Sequence, residues 1–106
     1  MKKANDPDVL ILTSLAGGAK HGYALTKDIE QFADVSLGPG TLYGAISRLE
    51  EKGLIQVVGA DERRRPYRLT AAGKATLEAA LTDMERVARE GAKRLKMRAR
   101  AAGSPA

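Results

Sequence analysis

Gly40, Thr41, Tyr43, Gly44, Ser47 and Arg48 crowd polar and small side chains into one short stretch of this chain. Glycines hold no neighbouring surface away, hydroxyls donate to and accept from polar edges, and a guanidinium attracts anions. Together they suit a phosphate-lined groove, where cations and hydroxyls meet the backbone and small residues let a helix approach base edges. A second group, Arg63, Arg64 and Arg65, sets three guanidinium groups side by side. These would straddle a phosphate backbone or enter a minor groove. The same run also reads as a solvated loop, partly neutralised by Asp61 and Glu62.

Individual positions keep alternatives. Arg48 is placed to touch DNA or to pair with Glu50 or Glu51 on its own helix. The hydroxyls of Thr41 and Ser47 can read a base or simply bond the backbone. Tyr43 lies at the border of an apolar and a polar face. It either packs its ring on the core and presents its hydroxyl to a phosphate, or packs on the neighbouring hairpin.

The elements that position these groups follow from local signals. Gly38 and Pro39 open a helix, Leu42, Ile46 and Leu49 give it one apolar face, and Gly53 closes it. Gly40, Gly44, Ser47 and Arg48 fall on the opposite side. Upstream, Asp6 caps and Pro7 starts a helix through Val9, Leu10, Ile11, Leu12 and Leu15, which stops at Gly17-Gly18. The next helix runs from about His21-Gly22-Tyr23 to Ala33. Its inward stripe is Leu25, Ile29 and Phe32, and Lys27, Asp28, Glu30 and Gln31 face mostly outward. His21 is expected exposed or capping, Tyr23 anchoring that helix start on the core. The connection 34–38 is short, so two helices meet in a tight turn, a helix-turn-helix. Leu54–Val58 and Tyr67–Leu69 read as strands of a hairpin with a basic tip, and Tyr67 packs beneath it.

Thr70 caps a last helix from about Ala71, whose pattern continues to about residue 99. Leu77, Leu81, Met84, Ala88, Gly91 and Leu95 form a heptad seam along it. Met84 and Met97 read as seam filler. So long a helix exceeds what one small core covers, and part of the seam should face a second chain. Folding back on the first helix alone is the other reading. Three segments result: a winged helix-turn-helix over 5–70, a dimerisation helix over 71–100 and a disordered tail over 101–106. The fold class is mainly α with a small β-hairpin wing.

Composition excludes much else. The chain has 106 residues, no cysteine, one histidine and a formal net charge of +5. Excess positive charge favours a polyanionic partner. There is no nucleophile–base pair, no phosphate-cradling glycine loop ahead of a lysine, and no metal-ligand set, so neither enzyme, cofactor nor metal is expected. Gly17-Gly18 and Gly38-Pro39-Gly40 read as turn and cap residues. No apolar run spans a membrane and no signal peptide opens the chain, which points to the cytoplasm.

Leu12-Thr13-Ser14-Leu15, His21-Gly22-Tyr23-Ala24-Leu25, Gly40-Thr41-Leu42-Tyr43, Arg48-Leu49-Glu50-Glu51-Lys52-Gly53-Leu54-Ile55 and Tyr67-Arg68-Leu69-Thr70-Ala71-Ala72-Gly73 form an ordered set. In these fragments the chain resembles the PadR-type transcriptional regulators, from about Val9 to Leu81. The resemblance implies a homodimeric winged-helix DNA-binding protein, most such proteins being repressors. It places the helix around Gly40 to Glu51 in the major groove, makes the arginine-rich hairpin the wing, and gives the dimer to the C-terminal helix. Some short relatives bind flat aromatic drugs in a tryptophan-lined dimer pore. This chain has no tryptophan. A cleft between the C-terminal helix and the DNA-binding domain could hold a small-molecule effector, but no residue set names its chemistry.

The expected protein is therefore a homodimer reading an inverted-repeat operator in double-stranded DNA. Its recognition helices would stand one turn of DNA apart, about 34 Å. Thr41, Gly44 and Ser47 would face bases. Lys2, Lys3, Arg48 and the wing would hold phosphates. The alternative is an adaptor that uses the same scaffold to dock a protein partner without sequence-specific DNA binding.

Overall fold

In the computed structural model, which describes residues 5–59 and 65–97, four helices frame one hairpin. They run in the order α1 (Pro7–Ala16), α2 (Gly22–Ala33), α3 (Pro39–Glu51), β1 (Ile55–Val57), β2 (Tyr67–Leu69) and α4 (Ala71–Arg94). Lys2, Lys3, Arg63, Arg64, most of the hairpin tip and the tail lie outside the described residues.

α1 is the centre. Asp6 Oδ1 accepts from the Asp8 N–H at 2.9 Å, and Pro7 occupies the first helical turn. Val9, Leu10, Ile11, Leu12 and Leu15 are all buried. A helix apolar on every side needs cover on every side, and α2, α3, α4 and β2 supply it. Leu25 and Ile29 of α2, Leu42, Ala45, Ile46 and Leu49 of α3, Ile55, Tyr67 and Leu77 complete the core.

Each helix end has a visible cause. His21 Nδ1 accepts from the Ala24 N–H and caps α2. After α3, Gly53 adopts φ +74°, and the Leu54 N–H reaches back to the Leu49 carbonyl at 2.9 Å. That left-handed residue turns the chain directly into β1. Thr70 Oγ1 accepts from the Gly73 N–H at 3.0 Å and donates to the Gly53 carbonyl at 2.6 Å. α4 therefore starts against the end of α3. Gly73 lies so close to the Leu54 carbonyl that a Cβ there would overlap it.

The hairpin pairs Ile55 with Leu69, Gln56 with Arg68 and Val57 with Tyr67, antiparallel. Lys20 adds a one-residue third strand, exchanging 3.0 and 2.9 Å hydrogen bonds with the Tyr67 backbone. The same lysine's ammonium donates to the Ser14 carbonyl, and its charge lies 3.8 Å from Asp28. The wing is thus fastened to the α1–α2 connection.

Four readings of the sequence need correction. Tyr23 does not anchor the start of α2 on the core, since it is 69% exposed. Phe32 extends the Leu25–Ile29 stripe but is 47% exposed, because α2 outruns the core at that end. Asp28, expected outward, instead accepts from the buried Ser14 hydroxyl at 2.6 Å. The last helix ends at Arg94 rather than near residue 99. Lys96 takes φ +58°, and the Met97 N–H bonds the Ala92 carbonyl at 2.8 Å, the same closure that Gly53 makes after α3. Among the described residues, no helix is long and apolar enough to cross a membrane.

Candidate nucleic-acid interface

α3 has three kinds of surface. Leu42, Ala45, Ile46 and Leu49 are buried. With 100° per residue, Gly40, Gly44 and Ser47 point away from that core, and all three are exposed. A Cβ on Gly40 would meet nothing within 4 Å. At Gly44 the only neighbour among the described residues that a Cβ would meet is the Arg48 guanidinium, at 3.8 Å.

Each flank of α3 is tied to a different element. On one side lie Tyr43 and Glu50. The Tyr43 hydroxyl sits against Gly22 at the start of α2, where a Cβ would collide with it. Tyr43 thus packs on the start of α2, while its ring stays half exposed. Tyr67 lies in the same neighbourhood, beneath the wing. Burial pushes its phenol above the ordinary value of 10.0; Arg65 opposes the shift, and Glu50 and Tyr43 add to it. The base of the wing adjoins α3, because β1 follows it directly and packs against it.

Thr41 and Arg48 occupy the other flank. Thr41 is exposed. Arg48 pairs with neither Glu50 nor Glu51; its Nη2 donates to Asp8 Oδ1 of α1 at 3.0 Å. Arg63 and Arg64, the other expected DNA contacts, lie outside the described residues.

Two exposed residues on α2 make a contact that the sequence reading did not assign. Lys27 Nζ stands 5.6 Å from the centre of the Tyr23 ring, a cation–π pair on the first two turns of α2. The signal was present: if Leu25 and Ile29 point inward, positions 23 and 27 cannot.

The seam on α4 divides in two. Leu77 is buried in the domain's own core and is withdrawn from a partner, because it packs where α4 begins beside α1. Met84 packs partly on that core. Leu81, Ala88, Gly91 and Leu95 are exposed, with Val87 beside them. Past Met84 every described residue except Ala92 is exposed. A cleft of about 310 Å³ opens between α1, α3 and α4, edged by Asp8, Leu49, Lys52 and Thr76. Among the described residues, no three His, Cys, Asp or Glu side chains gather as a metal would need.

This architecture is shared. The sequence profile of the PadR-like transcriptional regulator family matches residues 11–79. A 37.1 kDa protein of transposon Tn4556 from Streptomyces fradiae is 45% identical over 85 residues, which are 80% of this chain and 25% of that protein. The chain thus spans only a quarter of that relative's length. The transcriptional regulator Rv3488 of Mycobacterium tuberculosis is 39% identical over 83 residues, covering 76% of this chain and 77% of that one. A solved PadR family transcription regulator from Clostridium difficile superposes with a TM-score of 0.72 at 29% identity, covering 84% of this chain and 96% of its own.

Proposed function

The chain belongs to the PadR-like family of transcriptional regulators, a regulator and not an enzyme, and from that premise we propose that it is a cytoplasmic homodimeric repressor of an inverted-repeat operator. One observation carries the reading: α3 holds an uncovered face of Gly40, Gly44 and Ser47 between two tethered flanks, with the wing base at its side. In this reading α3 enters the major groove. Thr41, Gly44 and Ser47 meet base edges, while Tyr23, Lys27, Tyr43 and the arginines at 63–65 hold the backbone on either side. The exposed stretch of α4 supports a dimer. Its Leu81, Ala88 and Gly91, with Leu95 at its C-cap, keep a heptad spacing that a second copy would complete. An isolated helical extension of that length is marginal in water without a partner.

The test is selection of binding duplexes from a randomised DNA pool, followed by anisotropy titrations at several salt concentrations. A palindromic consensus with a steep salt response supports the reading; about six to ten phosphate contacts lose roughly 10³- to 10⁵-fold in affinity between 50 and 200 mM salt. No enrichment, or equal weak binding to selected and scrambled duplexes, would refute it.

A further inference from the structure

Arg48 is a cation on the recognition helix, and the simplest expectation gives it to a phosphate. The geometry points elsewhere. We infer that Arg48 is a positioning residue, which acts through Asp8 to set the angle of α3 against α1 and α4. This rests on the DNA-binding reading above and refines it.

Three observations carry the assignment. Asp8 is a buried carboxylate, its side chain 7% exposed, whereas Arg48 is 55% exposed; the pair meets at 3.0 Å. A charge-assisted hydrogen bond thus commits the Arg48 guanidinium to α1. Second, the pair joins positions 40 apart in sequence, linking the first turn of α1 to the last turn of α3. It is a long-range tie rather than an i,i+4 decoration of one helix. Third, Asp8 shares its cleft with Leu49 of α3, with Lys52 just past the end of α3, and with Thr76 and Ala80 of α4. The tie therefore lies where the recognition helix, the central helix and the proposed dimer helix meet. In a dimer held through α4, the angle of α3 at this junction determines how far apart the two recognition helices stand. That separation must match about one turn of DNA.

The two roles predict different salt behaviour. A phosphate contact contributes about 0.9 to the slope of log K against log salt. A positioning residue contributes nothing to that slope, but its loss misaligns the base contacts. The experiment compares the full-length wild type with Arg48→Gln, Arg48→Lys, Asp8→Asn and the double variant Asp8→Asn/Arg48→Gln. Each is titrated with the duplex selected on wild type, with a scrambled duplex, and with versions whose half-site spacing is changed by one base pair.

Arg48→Gln is expected to lose about tenfold or more on the selected duplex, with random binding and the salt slope unchanged. It should also lose the wild type's discrimination between spacings. Arg48→Lys should recover most of the affinity, and the double variant should be no worse than the poorer single, as for two ends of one interaction. The opposite result overturns the assignment: a slope lower by about 0.9 with parallel loss on both duplexes, and a neutral Asp8→Asn. If Asp8→Asn does not fold, the two Arg48 variants alone decide, since they alter a half-exposed side chain. Wild type without DNA affinity would remove the reading beneath this one, an outcome distinct from wild type that binds while Arg48→Gln lowers the slope.

Discussion

Replacing Gly40 and Gly44 with alanine should make the protein more stable and worse at its task. Both lie inside α3, outside the left-handed region that would require glycine. A Cβ at Gly40 would touch nothing, and at Gly44 it would meet only the Arg48 Nη1 at 3.8 Å, an ordinary contact. Glycine in a helix interior is less stable than alanine by about 0.5–1 kcal/mol. Each substitution should therefore raise the melting temperature by roughly 2–8 °C, measured at one protein concentration because dimerisation shifts melting by mass action. On DNA the sign reverses. If this face lies against the groove, each added methyl overpacks a close contact at about 1–3 kcal/mol, a loss of roughly five- to 150-fold in affinity. Differential scanning calorimetry and anisotropy on the same preparations read both quantities. Alanine variants that melt higher and bind DNA as wild type does would refute the placement of this face. Variants that melt lower would show that the fold itself uses the glycines.

Other expectations follow from single contacts. Gly73→Ala, unlike the α3 glycines, should destabilise by about 1–3 kcal/mol in urea unfolding, because its Cβ would overlap the rigid Leu54 carbonyl. Ala88→Glu places a charge on the exposed α4 seam while keeping a good helix former; light scattering should report monomer, with helical circular dichroism lowered by no more than the unpartnered end of α4, and an intact dimer would move the interface elsewhere. Folded-state ionisation of Tyr67 is disfavoured by burial, so the unfolded chain releases that proton first as pH rises. Stability is accordingly complete below the ordinary phenol value of 10.0 and declines above it. Tyr67→Phe should flatten that alkaline decline, and an identical decline in both proteins would assign it to other groups.

What could be read from the sequence was what is encoded locally. Asp6-Pro7, Gly38-Pro39, Gly53 and Thr70 mark their helix ends by cap and turn chemistry that acts over four residues, and α1, α3 and the start of α4 begin where those residues stand. Periodicity assigned the inward faces but not what covers them. Phe32 keeps the correct phase and is still half uncovered, because coverage depends on how far the neighbouring elements reach. Leu77 keeps the heptad phase too, yet the domain's own core takes it. The α4 terminus was overrun because a lysine, not a glycine, adopts the left-handed turn at position 96. Ties across the chain carried no local mark at all. Nothing near Arg48 announces Asp8, and nothing near Lys20 announces the Tyr67 backbone.

Those long-range ties divide the labour within the fold. α1 is apolar all round and contributes no exposed side chain to the α3 surface, yet every functional element is referenced to it. Lys20, just past its end, holds the wing through Tyr67 and α2 through Asp28. Asp8 in its first turn holds α3 through Arg48. Leu77 seats α4 against the same core. A surface that must match a rigid, regularly spaced duplex gains more from such fixed references than from extra contacts of its own. The face of α3 can then remain bare. Its glycines forgo about 1–2 kcal/mol of helix stability between them, and the apolar packing around α1 is what allows the helix to stand without it.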